Sequence, residues 1–253
     1  MSALKVGFVG AGFVAAFHAR AIEQVRGLEI AAVTSRTGSR AEAFSKGIRD
    51  RGLGAAEVYT SIREMANHVD AIAIYSPNFT RVEIVEEIVD AVGRGAEVKG
   101  LICEKPLARN VMEAQRMVDL ASQAGLNTAY FENQIFMKPI QAQLQQLEPQ
   151  QRTMGPLVLT RSAEEHGGPH EPWFWNPTQQ GGGVLSDMGC HSIAVGWYVL
   201  TPIGKPATFL QPVSVSADCS LLKWGQPLWR DKLLNLYGID YAKTPAEDFA
   251  TGT

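Results

Sequence analysis

The sequence predicts an α/β domain with a doubly wound parallel sheet over residues 1–131, followed over 132–253 by an α+β domain with an open, mainly antiparallel sheet, incomplete here. Three observations carry this. Short apolar runs alternate with amphipathic helices through the first half, as in a parallel sheet covered on both faces. A Gly-x-Gly-x-x-Ala turn joins the first run to the first helix. Beyond about residue 134, strand-like segments follow one another with little helix between them.

Taken in order, β-branched or apolar runs at 5–9, 29–34, 71–75, 100–103 and 127–131 predict strands. Helical spacing fills 13–25, 39–51, 81–92 and 110–124. In the last of these, Val111, Ala114, Met117, Val118 and Ala121 form one buried stripe, while Glu113, Arg116 and Asp119 take the wet side. Six glutamines among the eleven residues 141–151 read as a polar helix ended near Pro149. Then come a strand at 156–161, a Gly/Pro/aromatic loop at 166–183, a helix over 184–200 and alternating residues at 213–222. A strand-like start at Phe249 has no partner to follow it, which predicts a fragment whose sheet keeps an open edge.

Composition narrows the function. The 253 residues carry 23 Lys+Arg against 26 Asp+Glu, a net charge of −3, so nothing in the balance holds a nucleic-acid backbone. An apolar share of 45% is enough for a sizeable core and excludes disorder as the main state. The three cysteines, Cys103, Cys190 and Cys219, are too scattered for a disulfide framework or a CxxC knuckle, which fits a reducing cytoplasm. No apolar run is long enough to span a membrane.

The chemistry is concentrated in a few clusters. Gly10, Gly12 and Ala15, with Phe13 and Val14 between, stand after a strand and at a helix start: a tight turn, a backbone that pyrophosphate can approach, and a close helix–strand contact. A dinucleotide is implied. Where NAD-binding turns carry an acid for the ribose 2′-hydroxyl, the chain reads Thr34-Ser35-Arg36-Thr37, with Arg40 one turn on. A hydroxyl and two guanidinium groups suit a 2′-phosphate, so NADP(H) is favoured over NAD(H). Lys105, in Cys103-Glu104-Lys105-Pro106-Leu107, lies at the carboxyl edge where doubly wound sheets bind ligands, within reach of a substrate hydroxyl and the nicotinamide ribose.

Gly181-Gly182-Gly183 leads to Asp187 and His191, spaced i and i+4 if one helix holds both. A carboxylate beside an imidazole orients it to take a proton as hydride leaves. Glu164, Glu165, His166 and His170 lack metal-ligand spacing, so no metal is expected there. Trp173-Phe174-Trp175 either lines a sugar pocket or packs the loop on itself.

With these clusters in order, the chain resembles the Gfo/Idh/MocA family of sugar and polyol oxidoreductases. The likeness rests on Gly10-Ala11-Gly12 with His18, Ser76-Pro77-Asn78, Glu104-Lys105-Pro106-Leu107, and Gly181-Gly182-Gly183 leading to Asp187-x-Gly189-x-His191. It implies a Rossmann domain, then an open-sheet domain whose face covers the nicotinamide. It implies Lys105 and His191 as a catalytic pair, Asp187 as substrate ligand or orienter, and Ser76, Pro77, Asn78 and Glu104 along the cofactor. Arg161, Glu164, His166, His170 and Trp173 are candidates for substrate specificity.

The expected activity is hydride transfer between nicotinamide and a secondary alcohol or carbonyl of a sugar, inositol or sugar acid, in a homo-oligomer. Relatives that cleave glycosidic bonds through transient oxidation, and others that bind dinucleotide as regulators, are the alternatives. Three departures from the family pattern stand out. Arg81 occupies the place of a frequent His, Ser35 that of the ribose-binding acid, and the chain stops before the family's final strands and helix.

Overall fold

The computed structural model describes residues 3–168, 171–243 and 245–253. The chain divides into two compact units, Met1–Phe131 and Glu132–Thr253.

The first unit alternates strand and helix: β1 Leu4–Val9, α1 Phe13–Ile22, β2 Leu28–Thr34, α2 Gly38–Asp50, β3 Glu57–Tyr59, α3 Ile62–Met65, β4 Ala71–Ile74, α4 Arg81–Gly93, β5 Gly100–Glu104, α5 Val111–Gln123 and β6 Asn127–Phe131. All pairings are parallel, in the order β3-β2-β1-β4-β5-β6. Successive side chains divide between the faces. Val6, Phe8, Ile30 and Val33 pack with Ala15 and Ala41 of α1 and α2, while Ile72 and Ile74 pack with Met65, Val85 and Met117 of α3 to α5. Each such large side chain contributes about 1.5–3 kcal/mol by burial. Strand order reverses between β1 and β4, which opens a crevice at the carboxyl ends of those strands.

Local chemistry agrees with these boundaries. Asn110 caps α5 by accepting from Glu113 N at 3.0 Å, and Glu113 pairs back with Arg109. The strand β3 and helix α3 were not expected, because three or four residues are too short to show a period.

The second unit departs more from expectation. Helix α6 spans Lys138–Met154 and continues through Pro149. It buries none of its residues, so the carbonyl that loses its N–H partner there is not enclosed in a core. The strand expected over 156–161 does not form, and Val158 is 92% exposed. Among the described residues no strand lies alongside to pair with this segment.

The expected helix over 184–200 is two pieces, a π-helical turn Leu185–Gly189 and α8 Cys190–Leu200, preceded by the short α7 Pro177–Gln180. Of the alternating stretch at 213–222, only β7 Ala217–Ser220 is a strand; it pairs antiparallel with β8 Phe249–Gly252. Val213 is fully solvated instead. Helix α9 Pro227–Tyr237 supplies Leu233 to a small core with Trp175 and Tyr241. Among the described residues no helix is long and apolar enough to cross a membrane.

Candidate cofactor and active site

The turn after β1 is built for a close approach. Gly10 has φ of +113°, and its N–H donates to Thr34 O at 2.8 Å. A Cβ there would stand 3.0 Å from the Tyr75 carbonyl carbon and 3.1 Å from Ser76 N, so only glycine fits. Gly12 caps α1 without a side-chain bond, no acid occupies the first turn, and no atom lies within 4 Å of where its Cβ would point. The helix end therefore presents unclaimed N–H groups and the positive end of its dipole to open space. Ala15 is fully buried against the sheet, Val14 is half-buried and Phe13 is exposed. These residues fit a pyrophosphate.

At the end of β2, Ser35 is half-buried, and Arg36 and Arg40 are exposed. No described residue bonds or pairs with either guanidinium. No carboxylate stands at 35–37.

Two loops meet beside this crevice through Arg81, which is only 3% exposed. Its Nε donates to Ser76 O at 3.0 Å, Nη1 donates to Glu104 O at 2.6 Å and also to Pro106 O, and Nη2 lies 3.5 Å from Lys105 O. One guanidinium thus ties Ser76-Pro77-Asn78 to Glu104-Lys105-Pro106, the latter through a cis Lys105–Pro106 bond. Burial lowers the Arg81 pKa, and Cys103 and Glu104 oppose that shift.

The Glu104 carboxylate meets His18 Nε2 at 2.6 Å through Oε1 and accepts from Lys105 N at 3.0 Å through Oε2. His18 sits against Tyr75 and stacks on Phe131 at 4.8 Å. Burial, then the Glu104 charge, pushes the Tyr75 phenol far above its ordinary value. Asn78 is buried and Lys105 half-buried. Sequence reasoning missed the role of Arg81; its only signal was the departure from the family's His.

In the second unit, His191 Nδ1 meets Glu132 Oε1 at 2.5 Å, and the same oxygen accepts from Gln134 N at 2.9 Å. Both side chains are buried. The expected Asp187–His191 pair is therefore corrected: the carboxylate on the imidazole is Glu132. Asp187 belongs to the π-helical turn and His191 to α8, and Asp187 Oδ2 stands 3.8 Å from His166 Nε2.

The residues expected to bind substrate fall in two places. Arg161 and His191 line a groove of about 460 Å3 with Gln134 and Glu164. His166 and Asp187 line a smaller cavity with Trp175 and Trp224. Trp173 stacks on Phe174 at 3.8 Å, and His170 lies outside the described residues. Trp175 is core, packed against Leu233 of α9, Tyr241 and Trp224. Among the described residues Glu164, Glu165 and His166 form no three-ligand cluster.

The last of the three glycines, Gly183, has a packing reason. Glu247 Oε1 accepts from Gly183 N at 2.8 Å and Leu185 N at 3.3 Å, and Glu247 O accepts from Val184 N at 2.8 Å. A Cβ on Gly183 would fall 2.1 Å from Glu247 O. On α8, Gly196 lets Thr160 approach; a Cβ there would be 3.1 Å from Thr160 Oγ1.

Both halves of the chain match models of one protein family. Residues 4–131 match the Gfo/Idh/MocA oxidoreductase family, NAD-binding Rossmann fold, and residues 150–252 match a Gfo/Idh/MocA C-terminal domain. D-glucoside 3-dehydrogenase of Escherichia coli (strain K12) is 31% identical over 211 residues, covering 81% of this chain and 56% of the relative. Glucose-6-phosphate 3-dehydrogenase of Bacillus subtilis (strain 168) is 24% identical over 199 residues, covering 77% and 53%. The crystal structure of GenD2 from gentamicin A biosynthesis in complex with NAD shares the fold, with a TM-score of 0.76 at 21% identity, covering all of this chain and 62% of that one. The chain spans about half the length of the curated relatives it matches. With both halves matched in order and the glycine turn, Glu104-Lys105 loop and His191 helix each in place, the chain belongs to the Gfo/Idh/MocA oxidoreductase family.

Proposed function

We propose that the chain is an NADP(H)-preferring oxidoreductase that moves a hydride between nicotinamide and a secondary alcohol or carbonyl of a sugar, inositol or sugar acid. The observation that carries the reading is the acid-free, uncapped start of α1 behind Gly10 and Gly12, with two uncommitted guanidinium groups at the end of β2. Bound nicotinamide supplies a hydride acceptor or donor at C4.

The chain's own residues do the rest. Gly10, Gly12, Phe13, Val14 and Ala15 hold the pyrophosphate, and Ser35, Arg36 and Arg40 hold the 2′-phosphate. Ser76, Pro77, Asn78 and Glu104 position the loops along the cofactor. Lys105 and Asp187 hold and polarise the substrate oxygen. His191 accepts the hydroxyl proton at Nε2, because Glu132 engages Nδ1 and fixes that tautomer. Arg161 and Glu164, in the groove that His191 lines, select the sugar. The working form is a cytoplasmic homo-oligomer; the three free cysteines support that compartment.

Fluorescence titration with NADPH and NADH, followed by a panel of sugars and inositols, tests the reading. Tighter NADPH binding and turnover lost in His191→Ala are expected. Equal affinity for the two dinucleotides sinks the cofactor preference, and full turnover by His191→Ala sinks the proton role.

A further inference from the structure

His18 belongs to α1, the helix that starts at the Gly12 turn, yet its imidazole reaches the carboxyl ends of three strands. It stacks on Phe131, the last residue of β6, at 4.8 Å and 8°, and lies 4.8 Å from the ring of Tyr75, the residue after β4. Its Nε2 meets Oε1 of Glu104, the last residue of β5, at 2.6 Å. The two side chains are 16% and 11% exposed, so water competes little for the contact. An ionised carboxylate only accepts, so Nε2 carries a proton and donates it.

Glu104 is engaged through both oxygens. Oε2 accepts from Lys105 N at 3.0 Å, and this bond to the next residue's backbone fixes how the chain turns as it leaves the sheet. Arg81 binds the carbonyls of the same turn, at Glu104 and Pro106. The N–H of Lys105 is therefore governed through Glu104 and His18, and the neighbouring carbonyls through Arg81.

We propose that His18 is a positioning residue: by holding the Glu104 carboxylate it sets the direction in which the Lys105 side chain leaves the end of β5. What Lys105 then does, holding and polarising the substrate oxygen, rests on the oxidoreductase reading. The first turn of α1 faces the pyrophosphate place, and His18 stands further along the same helix. Dinucleotide and Lys105 are thus aligned against one rigid element. A reacting group displaced by about 1 Å loses about a hundredfold in rate, so a bond that touches neither cofactor nor substrate still governs turnover.

Three variants separate the hydrogen bond from the packing. His18→Phe keeps a ring against Tyr75 and Phe131 but donates nothing. His18→Gln gives up the ring and returns an amide N–H close to the Nε2 position, and His18→Asn carries the same amide one methylene short of Glu104. Deuterium exchange at the Lys105 amide, read by NMR on the full chain, needs no turnover. It is expected to be roughly tenfold faster in His18→Phe and His18→Asn and close to the unsubstituted chain in His18→Gln. With NADP+ and a sugar or inositol, kcat is expected to fall roughly tenfold to a hundredfold in the Phe and Asn variants and to recover in the Gln variant, with the NADPH dissociation constant within about threefold throughout.

Exchange and kcat unchanged in both His18→Phe and His18→Asn overturn the role. Equal loss in all three variants overturns it as well, because the returned donor then restores nothing. A thermal melt shows which variants fold, and if His18→Phe does not, the contrast between Gln and Asn decides alone. The two readings fail separately: the expected exchange pattern in a chain that turns over none of the sugars keeps the positioning role and removes the oxidoreductase, and turnover with exchange unchanged across the variants does the reverse.

Discussion

Arg81 Nη1 donates to the Glu104 carbonyl at 2.6 Å, so a buried guanidinium at the start of α4 fastens the loop that carries Lys105. Arg81→Ala strips the carbonyls of Ser76, Glu104 and Pro106 of their donor inside the protein. A loss of about 3 kcal/mol is expected in a denaturant melt, as for breaking other buried charge networks. Arg81→Lys keeps the charge but not the fork, so it folds yet binds NADPH more weakly. A lysine variant with unchanged NADPH affinity would show that the clamp does not position the loop.

The two glycines of the turn separate folding from binding. Gly10→Ala meets Tyr75 and Ser76 backbone at a φ of +113° and is expected to lose about 1–3 kcal/mol of stability. Gly12→Ala meets nothing within 4 Å, so its melting curve stays within about 0.5 kcal/mol of the parent while NADPH binding falls sharply. Measuring both quantities on both variants checks the contrast.

Removing Arg36 and Arg40 together should weaken NADPH by roughly a hundredfold or more and leave NADH almost unchanged, since each charge-assisted bond is worth about 1.5–3 kcal/mol. Ser35→Asp should turn the preference toward NADH by supplying the ribose acid. Dissociation constants for the two dinucleotides report both effects.

Two groups set opposite pH limits. Burial raises the Tyr241 phenol from 10.0 to about 12, so the fold favours its neutral form. That stability is whole below pH 10 and is lost as pH rises toward about 12, an alkaline weakening that Tyr241→Phe should remove. Glu113 is held below its ordinary value chiefly by its hydrogen bond to Arg109. Its contribution is present above pH 4.5 and is lost as pH falls through the lowered value, so Arg109→Ala should flatten the acid side of the melting profile.

The first unit was legible because its central strands β1 and β4 are buried on both faces, so that Val6, Phe8, Ile72 and Ile74 announce themselves. Residues 157–161 show the limit of that signal. Leu157, Leu159 and Thr160 have strand propensity, but a strand is a pairing, and pairing is not written in one segment. The glycine turn and Lys105 were readable as local motifs. Glu132 and Arg81 were not, because their partners lie 59 residues away at His191 and 23 away at Glu104.

Glu247 and Asp248 are chain neighbours whose carboxylates face different parts of the second unit. The first holds Gly183 and Leu185, and the second accepts from Leu222, Lys223 and Trp224 at 2.6, 2.9 and 2.5 Å. One peptide bond therefore yokes the turn that follows β7 to the segment that starts the His191 helix. These amides should exchange with deuterium as a single cooperative group, opening together and closing together, so that a strain applied at Trp224 is felt within one step at Gly183.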